Sequence, residues 1–181
     1  MSQLIPRLSF ADLDPQLAEL LRPKVERLNY LGEFFQCMGH QPRPLISFHR
    51  LTEELKEALP DNLTELVALS VATVMGNDYE LVQHEHLALK LGMSEAWVKE
   101  VITLRLEGHR QLSEAEVAVQ KLALLVVEQQ GKETTPELET VVRSIGYEQS
   151  VGVLLLIGRY VMHALISNCL GLKPPVASPF R

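Results

Sequence analysis

The sequence predicts an all-α fold, and three observations carry that prediction. Apolar residues recur at helical spacing along nearly the whole chain. No stretch alternates as a strand does between hairpin turns. Residues that start and stop helices fall between the apolar segments, leaving short connections. The 181 residues fit one domain, and 46% apolar content suffices for a real core. A single domain over 1–181 is expected, because no interdomain linker or exact internal repeat is visible.

Asp14-Pro15 is a good N-cap and N1 pair, opening a short helix through about Leu21. Residues 23–39 form a second, with Val25, Leu28, Leu31, Phe35 and Met38 at helical spacing, broken by the prolines at 42 and 44. A third runs from about 44 to 59, stopping before Pro60. Asn62 is expected to cap the fourth, with Glu65 three residues on as its capping-box partner. Gly76-Asn77-Asp78 marks a bend, and a fifth helix follows to about Leu91, closed by Gly92. Ser94 caps a sixth that buries Trp97, Val98, Val101 and Ile102 and ends by Gly108. Ser113 and Glu116 form a capping box before residues 114–130. Thr135-Pro136 and Gly146 bracket a shorter helix, and a long one covers roughly 147–170.

Composition excludes several classes of function. The formal net charge is −6 with no long basic run, which speaks against nucleic acid. The two cysteines, Cys37 and Cys169, form no metal-ligand spacing or disulfide framework. The first residues place Pro6, Asp12 and Asp14 where a signal peptide needs an apolar core. The most apolar run, VGVLLLIGRYVMHALISNCLGL, is long enough to span a membrane but is broken by Arg159 and His163. The expectation is a cytoplasmic protein without a membrane span.

The chemistry-bearing stretch is GNDYELVQHEHLALKLG, residues 76–92. Asn77, Glu80 and His84 are spaced i, i+3, i+7 and share one helix face, which Ala88 and Leu91 continue inward. Tyr79, Gln83 and His86 fall on another side, so His84 and His86 cannot converge on a metal ion from one helix. If the preceding helix folds back through Gly76, Glu65 reaches the Glu80/His84 face. A carboxylate beside an imidazole fixes its tautomer and raises its basicity, giving a group that moves protons near neutral pH. A satisfied buried polar network or an exposed helix face explains the same residues. On the last helix, Arg159 and His163 are i, i+4 in apolar surroundings and need partners. Structural pairing explains them, and anchoring a substrate carboxylate is the sharper alternative for Arg159.

The segment TELVALSVATVMGNDYELVQHEHLALKLGMSEAWVKEVI, within a signature region of about 62–105, resembles the carboxymuconolactone decarboxylase family, which includes alkylhydroperoxidase D-like proteins. Glu65, Tyr79, Glu80, His84, Ala88 and Gly92 match its pattern in order and spacing. The resemblance implies an alkylhydroperoxidase D-like multihelical domain that assembles as a homo-oligomer. Apolar residues beyond what one layer of helices can cover agree with that assembly. Peroxidase members carry a Cys-x-x-Cys pair between the glutamate and the histidine, where this chain has Asn77 and Glu80. Thiol peroxidase chemistry therefore does not transfer.

The resemblance implies a cysteine-free subgroup: a thiol-independent lyase or isomerase-type enzyme acting on a small organic acid. His84 is then the proton-transfer group, with Glu80 and Glu65 tuning it. Asn77, Tyr79 and Arg159 are the candidates for binding the substrate. No cofactor and no metal are expected. Two rivals stay open: a non-catalytic scaffold or binding protein that keeps the fold without the thiols, and a metal-dependent enzyme using Glu65, Glu80 and His84.

Overall fold

In the computed structural model, described over residues 4–180, the chain is all-α. Among the described residues there are eight α-helices, one short 3-10 turn and no strand. The chain divides into two compact units, residues 1–53 and 54–181.

The first unit holds α1 (Pro15–Leu28), α2 (Glu33–Met38) and most of α3 (Pro42–Ala58). Asp14 caps α1 as expected, its carboxylate accepting from the amides of Gln16 and Leu17. The helix does not stop at Leu21. It continues through Pro23 to a left-handed Asn29, so the expected boundary moves seven residues on. A proline inside a helix costs a hydrogen bond but need not end it. Leu17, Leu21, Phe34 and Cys37 are buried here.

The second unit carries α4 (Asp61–Val74), α5 (Asp78–Lys90), α6 (Glu95–Ile102), α7 (Glu114–Glu128) and α8 (Thr135–Cys169). The central helix is α4, packed against α5, α6, α7 and α8. Ten of its fourteen residues are buried, which follows from a sequence apolar all round rather than on one stripe. Leu66, Leu69, Val98, Val101, Leu122, Leu156 and Ile157 form the middle of the core.

The expected caps form at α6 and α7. The Ser94 hydroxyl accepts from the Trp97 amide, and Ser113 with Glu116 makes the capping box. At α4 the expected capping box does not form. There Pro60 is the N-cap residue, and Asn62 lies inside the helix, donating to Glu116 Oε1 at 2.9 Å. Glu65 is no capping partner: it is 1% exposed and points into the unit.

Gly146 breaks α8 with φ 79° and ψ 165°, a conformation essentially confined to glycine, as its bracketing position predicted. By length and composition α8 could cross a membrane, yet 56% of its most apolar window is buried inside the protein.

Candidate functional site

The sharp turn at Gly76 lets α5 fold back along α4, and Asn77 starts it by accepting from the Glu80 amide at 3.4 Å. One turn apart on α5, Glu80 and His84 face inward. Across from them α4 presents Glu65. His84 Nδ1 lies 2.7 Å from Glu65 Oε2. The other ring nitrogen, Nε2, is 3.2 Å from the Tyr160 hydroxyl and 3.5 Å from Glu80 Oε2. The imidazole therefore bridges two carboxylates from opposite poles of the ring.

The last helix completes the centre. His163 Nδ1 lies 2.7 Å from Glu80 Oε2, and Arg159 Nη1 is 3.4 Å from the same oxygen. Arg159 Nη1 is also 3.5 Å from His163 Nδ1. The shorter contact decides the proton: His163 Nδ1–H donates to Glu80, and the guanidinium reaches the same carboxylate beside it. The Tyr160 ring meets His84 edge-on at 5.2 Å, and Tyr79 meets His163 edge-on at 6.3 Å. The Arg159 guanidinium lies 4.2 Å from the Tyr160 ring centre.

Burial and charge oppose each other here. Burial would lower the His84 pKa, but the charge and hydrogen bond of Glu65, and then those of Glu80, push it up to about 9. Burial works to raise Glu80, but the charge and hydrogen bond of His163, and then of His84, hold it well below the usual carboxylate range. At neutral pH His84 is therefore an imidazolium, donating Nδ1–H to Glu65 and Nε2–H toward Tyr160 and Glu80. Two carboxylates face three basic groups: His84, Arg159 and His163.

Of the residues singled out by sequence, Glu65, Glu80, His84 and Arg159 are brought together. Asn77 is buried as the helix cap, its side-chain oxygen turned to a backbone amide of α5. Tyr79 is buried against His163. His86 is exposed and bonds the Ala177 carbonyl at 2.8 Å, away from the centre. Leu91 is 42% exposed, so the inward stripe ends at Ala88; Leu91 sits beyond the last turn of α5. Tyr160 was not expected in the centre, and His163 was expected only as a residue needing partners. Their positions on one face of an apolar helix were the available signal. Cys37 is buried in the first unit and Cys169 exposed on α8, and neither contributes to the centre.

Glu65 and Glu80 hold opposite ends of the His84 ring instead of converging on one point. Among the described residues, no group of three or more His, Cys, Asp or Glu side chains is arranged to hold a metal ion.

Residues 47–125 match the model of the carboxymuconolactone decarboxylase family. No curated protein matches the chain in sequence. Similar solved structures include a cysteine-to-alanine variant of the debrominase Bmp8 in complex with 2,3,4-tribromopyrrole, at TM-score 0.82 and 18% identity, covering 96% of this chain and 92% of that one. An uncharacterized peroxidase-related protein from Ralstonia eutropha JMP134, with an alkylhydroperoxidase AhpD core, has TM-score 0.78 and 17% identity over 93% of this chain and 90% of that one. A protein of unknown function from Agrobacterium tumefaciens has TM-score 0.68 and 17% identity over 77% and 96%. At such identities the likeness shows the fold, which is alkylhydroperoxidase D-like.

Proposed function

The chain belongs, through residues 47–125, to the carboxymuconolactone decarboxylase family, and on that premise we propose that it is a thiol-independent acid–base enzyme of the lyase or isomerase type, acting on a small organic acid. The observation that carries this reading is the Glu65–His84 pair, 2.7 Å apart, with the imidazole held charged at neutral pH. A group protonated at working pH and fixed at its far nitrogen is set up as a general acid. His84 Nε2–H delivers its proton to the substrate atom that gains electrons when a neighbouring C–C bond breaks with loss of carbon dioxide, or when a neighbouring C–H bond breaks with its proton passing to water. Glu65 keeps the ring in place while it is neutral, and solvent returns the proton. Arg159 anchors the substrate carboxylate, and the excess of basic groups around it suits an anion.

One observation favours a binding protein instead: the centre is nearly closed within the chain, with Glu80 6% and His84 8% exposed. A single experiment separates the two. The protein is incubated in D₂O with a set of small unsaturated carboxylic acids and lactone carboxylates, and exchange or decarboxylation is followed by proton NMR. The expected result is turnover of at least one acid above the blank, reduced about 10²–10⁴-fold in His84→Gln. If no member of the set exchanges or reacts while the protein stays folded, the enzyme reading falls and the binding reading replaces it.

A further inference from the structure

The strong acceptors of the centre are committed elsewhere, and the Nε2 proton of His84 is left facing a weak one. Glu65 holds Nδ1 at 2.7 Å. Glu80 Oε2 is drawn to His163 Nδ1 at 2.7 Å and to Arg159 Nη1 at 3.4 Å, and stands 3.5 Å from His84 Nε2. The closer group at Nε2 is the Tyr160 hydroxyl, at 3.2 Å. A charged imidazole is thus aimed at a neutral phenol. A carboxylate at that distance would hold the proton in an ion pair. A phenol accepts it weakly and keeps its own O–H to give. The first atom in line to take the Nε2 proton is therefore the phenol oxygen.

We propose that Tyr160 is a catalytic residue, whose hydroxyl gives its proton to the substrate and takes the Nε2 proton of His84 in its place. This rests on the acid–base reading of the centre and adds the atom from which the proton leaves. Three helices supply one member each to the line: Glu65 from α4, His84 from α5 and Tyr160 from α8. When a C–C bond of the substrate breaks with loss of carbon dioxide, the electron pair stays on the substrate and the Tyr160 O–H proton moves to it. The phenol oxygen receives Nε2–H, so Tyr160 ends neutral and unchanged. His84 ends as a neutral imidazole with Nδ1–H still on Glu65, and water restores the proton to Nε2. Where a C–H bond breaks instead, its proton passes to water and the same exchange follows.

The acidities suit the exchange. His84 is raised to about 9, and an ordinary phenol ionises near pH 10, so the proton crosses between them with little penalty in either direction. The Arg159 guanidinium lies 4.2 Å from the Tyr160 ring centre, and with the imidazolium it steadies negative charge on the phenol oxygen as the proton departs. A phenol is a weak acid, so the atom that takes its proton is strongly basic: the carbanion or enolate left by a lost carboxyl or a lost C–H proton.

The test uses the full chain and has two arms. Without substrate, a fluorinated tyrosine with a more acidic phenol is placed at position 160 and His84 is titrated by NMR. The His84 midpoint should rise, because a phenolate beside the ring favours its charged form. An unmoved midpoint would show that the two groups share no proton and would overturn the proposal. With an acid that reacts in the D₂O assay, Tyr160→Phe should keep the helical circular dichroism, lose about 10²–10⁴-fold in kcat and change KM by less than about threefold. Combining it with His84→Gln should cost little more than either change alone, because the two residues act as one unit. A Tyr160→Phe variant with the parent kcat, or one that raises KM alone, would overturn the proposal and leave His84 delivering the proton directly. A parent chain that converts no acid would remove the acid–base reading, and the role of Tyr160 with it.

Discussion

His84 and Glu65 stand nineteen residues apart in the chain and 2.7 Å apart in space, and that one pairing determines the charge of the centre. By NMR titration, the His84 ring should change protonation near pH 9. Glu65→Gln removes the charge that contributes most to the elevation, so the midpoint should fall by one unit or more, about 1.4 kcal/mol per unit. A ring that titrates near 6.5 in the parent chain would remove the imidazolium from the mechanism.

The same shifts set a dependence of stability on pH. His84 binds its proton more tightly in the folded chain than in the unfolded one. Its contribution is complete below pH 6.5 and is lost as pH rises through about 9. Glu80 behaves in the opposite sense: its contribution is present above pH 4.5 and is lost as pH falls through its lowered folded value. Urea midpoints should therefore decline between about pH 7 and pH 10, and His84→Gln should flatten that alkaline limb. An alkaline limb of equal slope in both proteins would contradict the assignment.

Exchange of histidines separates the centre from its surroundings. With any acid found to react, His84→Ala should lose about 10²–10⁴-fold in kcat. His86→Ala should retain most of the parent rate, because that ring bonds only a carbonyl of the C-terminal segment. Steady-state kinetics of the two variants decide the matter, and a damaging His86→Ala would move the centre to the other side of α5.

Peroxide chemistry should be absent. Asn77 and Glu80 occupy the places that thiols take in the peroxidase members, and neither forms a disulfide. A dithiol-coupled peroxide assay should read as a blank. Turnover that disappears in Cys37→Ser would instead assign the reaction to the buried thiol of the first unit.

Glu116 predicts a purely structural loss. Its Oε1 accepts from Trp97 Nε1 at 3.1 Å and Asn62 at 2.9 Å, while Oε2 accepts from the Ser113 amide and hydroxyl. Glu116→Ala removes a helix cap and leaves the indole N–H without its acceptor, at a cost of about 2–4 kcal/mol in urea unfolding. Glu116→Gln keeps an acceptor at Oε1 and should cost less than half as much.

The legible and illegible parts of the centre differ in range. Glu80 and His84 could be paired by counting residues along one helix, and Glu65 followed once Gly76 was read as a turn. Tyr160 and His163 lie seventy-six and eighty-three residues from their partners, and helical periodicity carries no information on which faces of α5 and α8 meet. Asn62 and Glu65 show the converse failure. A polar residue followed by a glutamate three positions on imitates a capping box, but Pro60 already begins the helix, and each side chain found a tertiary partner instead. The long helix was placed correctly because Gly146 punctuates it locally.

That glycine acts as a protractor. Arg159 lies thirteen residues beyond it, about 20 Å along the helix. A change of ten degrees at the break would carry the guanidinium roughly 3 Å sideways, by the length of that arm. The contacts it would disturb are themselves 2.7 to 3.4 Å long. The aim of three functional side chains is thus written into the backbone angles of a residue that has no side chain and touches none of them.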